Sequence, residues 1–423
     1  MKKLFKVLFI FLMMVMAFAV ISCEQAAGSS PSKDKKTEET EDEPTPTPEP
    51  ETPETPQNPK SSEIPLTLEF LADGEISITN PWSTLKYSKN GGEFIAIEGT
   101  GNPLTATITV NENDKISFYA EGSESTNSKC MNINCSSDCY IFGNIMSLVT
   151  LEAGTSNWYS SNTKLVTDYC FKKLFYYNSH IKNHSDKSLL FPATSLTNYC
   201  YADMFVNCTS LTAAPALPAI SLADYCYFDM FINCTSLTTT PTLPAKSLAI
   251  YCYCNMFVGC TSLSSTSALP ATTLADCCYA RMFQGCKSLS SAPALPATAL
   301  GKYCYYDMFS GCISLTTAPS LPAKSLKEYC YSGLFNDCES LTTAPVLPAT
   351  TLEKGCYSRM FKGCSNLKYI KCLATDISTD FCTEDWIIET PSSGTFVKAA
   401  GADWSGKTGD DGIPSGWTVK EAQ

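Results

Sequence analysis

Residues 304–329 read CYYDMFSGCISLTTAPSLPAKSLKEY, and close copies of this stretch fill most of the second half of the chain. Cys200, Cys226, Cys252, Cys278, Cys304, Cys330 and Cys356 stand 26 residues apart. Each is followed eight residues later by a second cysteine: Cys208, Cys234, Cys260, Cys286, Cys312, Cys338 and Cys364. A fixed period of 20–29 residues with recurrent leucine marks units that cannot bury an apolar face alone and must stack on their neighbours. The segments around Cys170 and Cys382 are less regular and read as the first and last units.

Within a unit the pattern predicts a helix followed by a short strand. Ser221 precedes LADYCYFDMF with Asp224 three residues on, the arrangement of a capping box, and Ser195, Ser247, Thr273, Ser325 and Thr351 hold the same place. Leu222, Cys226 and Met230 at i, i+4 and i+8 form one apolar stripe. Asn207, Asn233, Gly259, Gly285, Gly311 and Gly363 then fall where a left-handed residue ends a helix. In the following SLTTAPxLPA segment, Leu211 and Leu217 point inward while Pro215 and Pro218 limit ladder pairing. The expected fold is an α/β leucine-rich-repeat-type solenoid with a short strand and a helix of about ten residues per 26-residue unit.

That assignment bears on the cysteines. Eight helical residues rise roughly 10–12 Å, beyond the Cα separation a disulfide needs. Reduced thiols packed along the solenoid are therefore expected. An intra-unit disulfide ladder is the competing reading for an exported chain with 23 cysteines.

Upstream of the repeats the periodicity changes. Leu66, Leu68 and Phe70 alternate with polar residues, as do Ile76 and Ile78, Ile108 and Val110, and Ile116, Phe118 and Ala120. Asn90-Gly91-Gly92 and Glu112-Asn113-Asp114 supply turns. A small antiparallel β-sandwich over 62–158 is expected to precede the solenoid at 159–385, with a β-rich C-terminal cap over 386–423 around Trp404 and Trp417. Cys130, Cys135 and Cys139, spaced C-x4-C-x3-C, lack a paired fourth zinc ligand, so a disulfide within this group is preferred to a metal site.

Further upstream, Lys2, Lys3 and Lys6 head an uncharged apolar run from Leu8 to Val20, the pattern of an export signal over 1–22. The run ends in Val20-Ile21-Ser22-Cys23, which resembles the lipobox of bacterial lipoproteins and implies lipidation of Cys23. Several acyl chains make a stable anchor without a spanning helix. Residues 23–61, rich in Glu, Thr and Pro, read as an extended acidic tether.

The MFxGCxSLTTAPxLPA units, the VISC motif and the closing GIPSGWTV resemble the BspA-like leucine-rich-repeat surface proteins of bacteria, and SSDCYIFGNIMSLV resembles the module that precedes such repeats. The unit here is longer than the family's, with an added turn around the first cysteine. The resemblance implies a surface-exposed, lipid-anchored adhesin in the cell envelope, on the outer-membrane surface. Its partners would be host extracellular-matrix or cell-surface proteins, or other bacteria. A structural envelope protein without a host ligand is the alternative.

Two candidate binding rows can be drawn from the repeat. The hydroxyl row after the repeated leucine comprises Thr212, Thr238, Thr239, Ser264, Ser265, Ser290, Ser291, Thr316, Thr317, Thr342 and Thr343. The second is a tyrosine ridge of Tyr201, Tyr227, Tyr253, Tyr279, Tyr305, Tyr331 and Tyr357, tyrosine being favoured at binding hot spots. Charged residues such as Arg281, Asp307 and Arg359 vary between units and could tune specificity. Two histidines, His180 and His184, sit in the polar YNSHIKNHSD insertion and read as solvated. No catalytic motif, metal set or cofactor fingerprint is present, so no enzyme and no cofactor are expected. A formal net charge of −12 argues against nucleic acid.

Overall fold

The computed structural model describes residues 64–149, 164–165, 167–407 and 409–423. The leader, Cys23 and the acidic tether lie outside the described residues.

The alternating stretches form strands β1 (Leu66–Phe70), β2 (Gly74–Thr79), β3 (Lys86–Lys89), β4 (Ile95–Ala96), β5 (Thr105–Val110), β6 (Lys115–Tyr119), β7 (Asn132–Cys135) and β8 (Cys139–Asn144). One sheet runs β8-β1-β6-β3-β4 and a second runs β5-β2-β7, all antiparallel. Leu66, Leu68 and Phe118 from the first and Ile76, Ile78 and Ile133 from the second are fully buried in one shared core. Asn90 and Asn113 adopt left-handed φ of 56° and 70°, as tight turns require.

Strand β8 also carries the start of the repeat region. β9 (Ile181–Asn183) and β10 (Leu189–Leu190) pair with it in parallel, so the repeats grow directly from the sheet edge. The YNSHIKNHSD stretch is consequently part of the sheet edge, with Ser179, Ser185 and Asp186 exposed and both histidines in contact with the sheet. His180 Nδ1 lies 3.0 Å from Asp138, and His184 packs edge-on to Tyr140 and Phe142.

The repeat region corrects the expected fold class. Among the described residues there is no α-helix; the only helical pieces are short 3₁₀ turns at Ile145–Leu148 and Gly409–Asp411. The described residues are mainly strands, bridges and turns, so an α/β leucine-rich-repeat-type solenoid with a helix per unit is ruled out.

What replaces the helix is a ribbon of consecutive turns. Along one unit, Tyr225, Asp229 and Asn233 have φ of 58°, 58° and 56°. A left-handed residue at every fourth position cannot belong to a right-handed helix. The amides instead alternate between two acceptors. Those of Tyr225, Tyr227, Asp229, Phe231 and Asn233 donate to carbonyls of Ile250, Cys252, Cys254, Met256 and Val258 in the next unit, at 2.7–3.1 Å. Those of Cys226, Phe228, Met230, Ile232 and Cys234 close turns onto carbonyls three residues back, at 3.2–3.3 Å. Each of these donors is thereby paired, as burial demands. The same left-handed triplet recurs from Tyr169, Lys173 and Tyr177 to Phe381, Asp385 and Glu389, so the irregular first and last units share the conformation.

Stacking units on one another places identical side chains in columns. Tyr201, Tyr227, Tyr253, Tyr279, Tyr305, Tyr331 and Tyr357 stack with ring centroids 5.6–6.2 Å apart. Phe205, Phe231, Phe257, Phe283, Phe309, Phe335 and Phe361 do the same at 5.4–6.0 Å, within the range of favourable aromatic pairs. Of the serines and threonines expected to cap helices, Ser195, Ser221, Thr273 and Thr351 instead make parallel bridges, as in Ser195 to Ser221 and Thr351 to Asp376, while Ser247 and Ser325 lie in bends.

The strand segment is reduced by its prolines to isolated bridges in the middle units, such as Thr239 to Ser265 and Ser291 to Thr317. A continuous ladder forms only at the C-terminal end, where β11 (Thr343–Leu347), β12 (Tyr369–Cys372), β13 (Thr395–Lys398) and β14 (Thr418–Glu421) make a parallel sheet. Trp386 closes the phenylalanine column, 6.2 Å from Phe361, and stacks on Trp404 at 5.7 Å. Trp417 Nε1 donates to Pro391 O at 2.7 Å.

Candidate binding face

The repeat columns sort into an inward and an outward set. Within each unit both cysteines, the tyrosine after the first and the Met-Phe pair, or Leu334-Phe335 in its place, point into the core, as Cys226, Tyr227, Met230, Phe231 and Cys234 show with 0–1% exposure. The tyrosine ridge is therefore interior: Tyr201, Tyr227, Tyr253, Tyr279, Tyr305, Tyr331 and Tyr357 are all buried and offer no surface. Burial pushes the Tyr227 and Tyr357 phenols well above their ordinary range.

The hydroxyl row has the opposite placement. Thr212, Thr238, Thr239, Ser264, Ser265, Ser290, Ser291, Thr316, Thr317, Thr342 and Thr343 are all exposed, and they lie in two adjacent columns. Backbone bonds hold successive members in step: Thr238 N to Thr212 O at 3.3 Å, Ser264 N to Thr238 O at 3.0 Å and Thr316 N to Ser290 O at 3.1 Å. At one end Asn183 Oδ1 accepts from Thr212 N and Oγ1 and from Ala213 N, at 2.9–3.0 Å, standing in for a missing preceding unit. At the other end Lys368 N donates to Thr342 O at 2.8 Å. Beside the row, Pro319, Pro322, Pro345 and Pro348 with Leu321 and Val346 line an open depression of about 440 Å³.

A third row, not singled out in the sequence, lies on the surface of the ribbon. Tyr169, Tyr199, Tyr225 and Tyr251 stack at 4.4–5.0 Å and are half-buried, as are Tyr303 and Tyr329 at 5.0 Å. The signal was available, because a tyrosine precedes as well as follows the first cysteine of most units. Both arginines along this row are engaged by side chains of other units. Arg281 Nε lies 3.7 Å from Asp307, and Arg359 Nη2 donates to Tyr306 OH at 3.3 Å.

The cysteines form columns of free thiols. Cys208, Cys234, Cys260, Cys286, Cys312, Cys338 and Cys364 each donate to the carbonyl of a phenylalanine in the preceding unit, at 3.1–3.2 Å. The first cysteine of a unit faces the following one, as with Cys200 Sγ to Cys226 O at 3.8 Å. Burial raises these thiols, with Cys260, Cys312 and Cys364 pushed up to about 12, which leaves them unreactive.

Among the described residues no group of three or more His, Cys, Asp or Glu side chains is placed to hold a metal ion. No helix of these residues is long and apolar enough to cross a membrane. No protein-family model, curated protein or solved structure matches the chain.

Proposed function

We propose that this chain is a lipid-anchored binding protein of the cell envelope, held through Cys23, whose hydroxyl face attaches it to extracellular-matrix or cell-surface proteins. The observation that carries this reading is the exposure of all eleven serines and threonines in two registered columns, while the tyrosine ridge is buried. Repeated, weakly interacting groups at a fixed spacing gain strength by multivalency, which suits attachment to repetitive partners. The signal-like leader, the VISC motif and the resemblance of the repeat to bacterial surface proteins support the same reading.

The test is binding of the full chain to immobilised matrix proteins, compared with a variant carrying Thr239→Lys, Ser265→Lys and Ser291→Lys. These side chains are exposed, so the fold should survive. Binding should weaken by about tenfold or more as repeated contacts are lost. Unchanged binding by the folded variant would rule out the hydroxyl face as the attachment surface. Absence of binding by the parent chain would favour a structural role in the envelope.

A further inference from the structure

One pair of cysteines differs in kind from the columns. Among the described residues, the only hydrogen-bonded pair of sulfurs is Cys139 Sγ donating to Cys135 Sγ at 3.6 Å. Cys135 also accepts from Asn178 Nδ2 at 3.4 Å, and the same amide group donates to Ile133 O at 3.2 Å. Cys130, the third cysteine of the cluster, is turned away and donates to Thr126 O.

The connection between the two thiols is held in place. Ser136 Oγ accepts from Glu75 N at 2.8 Å, Ser136 N donates to Glu75 O at 3.0 Å, and Ser137 Oγ donates to Ala72 O at 3.2 Å. Cys135 ends β7 opposite Ile76, in one sheet, and Cys139 begins β8 opposite Phe70, in the other. Cys139 also pairs with Ile181 of β9, the first strand of the repeat region. The pair therefore sits where both sheets and the stack meet.

We propose that Cys135 and Cys139 form a thiol–disulfide exchange site that accepts oxidising equivalents from a low-molecular-weight disulfide and becomes an intrachain disulfide joining the two sheets beneath the stack. Cys135, with 5% exposure against 0% for Cys139, is the attacking group. Cys135 loses its proton to solvent at its exposed edge, and its thiolate attacks one sulfur of the small disulfide, forming a mixed disulfide and releasing one small thiolate, which takes up a proton. The Cys139 sulfur then attacks the Cys135 sulfur, breaking the mixed disulfide, and its proton goes to the second small thiolate as that leaves. Two protein thiols are oxidised by two electrons and one small disulfide is reduced to two thiols. The polarity agrees with the electrostatics: the hydrogen bond from Cys139 lowers the Cys135 thiol below its ordinary range, while that contact and burial raise Cys139 well above it.

The test exposes the reduced, folded chain to oxidised glutathione, alkylates the remaining thiols under denaturing conditions and maps every cysteine by mass spectrometry. The expected result is loss of two thiols, recovered as a Cys135–Cys139 link, with the ribbon cysteines alkylated. Recovery of Cys135 and Cys139 as alkylated thiols, or in links to other cysteines, would overturn the proposal. Cys139→Ser should trap glutathione on Cys135, and Cys135→Ser should leave Cys139 unmodified. Glutathione trapped on Cys139 in Cys135→Ser would overturn the proposed order of attack.

Discussion

The sheets between Leu66 and Asn144 and the ribbon between Tyr169 and Glu389 both exclude water from a shared core, but they enforce it differently. In the sheets, side chains alternate and antiparallel partners lie at varied sequence distances, so each strand carries its own inward pattern. In the ribbon, inward residues come in adjacent pairs every fourth position, and each residue rests on its counterpart one unit away. The sheets therefore depend on local alternation, whereas the ribbon depends on repetition. A ribbon with left-handed residues at Tyr, Asp and Arg positions costs roughly 1–2 kcal/mol at each, which only inter-unit bonds and stacked rings can offset.

The sharpest way to break this contrast is to remove one ring from a column. Phe257 is fully buried between Phe231 and Phe283. Phe257→Ala should cost about 3–5 kcal/mol in denaturant unfolding. A cost near that of Ile78→Val in β2, about 0.5–1.5 kcal/mol, would show that the columns are not what holds the units together.

Next in size is the backbone itself. Gly285 has φ of 72°, and a Cβ there would meet nothing closer than 3.7 Å. Gly285→Ala should therefore cost about 1–2 kcal/mol through conformation alone. A neutral substitution would mean that the left-handed ribbon is not required.

A smaller effect of opposite sign is expected at Tyr253, whose buried hydroxyl has no partner. Tyr253→Phe should keep the ring column and raise stability by about 1 kcal/mol. A loss of stability would reveal a bond for that hydroxyl.

The two regions should also respond oppositely to pH. In the sheets, the Asn111 amide and the Lys89 ammonium hold Asp114 down at about 2 from an ordinary 3.8. The folded chain there binds fewer protons, so that contribution is full above 3.8 and is lost as pH falls toward 2. In the ribbon, burial first and then Asp203 raise Asp229 to about 7. The folded chain there holds a proton the unfolded chain has released, so stability falls as pH rises from 3.8 to about 7. Asp229→Asn, which tolerates the left-handed backbone, should flatten that decline in unfolding measured across this window. An unchanged slope would place the titration elsewhere.

The same contrast decides how much of the fold was legible in the residues. The alternation at Leu66, Leu68 and Phe70 reads directly as a strand, and the 26-residue spacing of Cys200 through Cys356 reads directly as stacking. The conformation inside the unit was not legible from the same pattern. Leu222, Cys226 and Met230 fit a helical stripe because periods of 3.6 and 4 diverge by a fraction of a turn over eight residues. The discriminating signal was the second inward residue of each pair, Tyr227 beside Cys226 and Phe231 beside Met230, together with Asp, Asn or Gly at every fourth position. A tyrosine at the first left-handed position, as at Tyr225, hid that rhythm because its stacking on Tyr199 and Tyr251 exists only in the assembled stack. Of the candidate rows, exposure of the hydroxyls followed from their place after an inward leucine, whereas only packing between units could decide which tyrosine faced inward.

Far-ultraviolet circular dichroism of the full chain tests the turn ribbon most directly. The expected spectrum is one of strand and turn without a helical signature, because among the described residues the repeats contain none. A helical signal matching about ten residues in every unit would contradict the ribbon and restore the helix-per-unit arrangement.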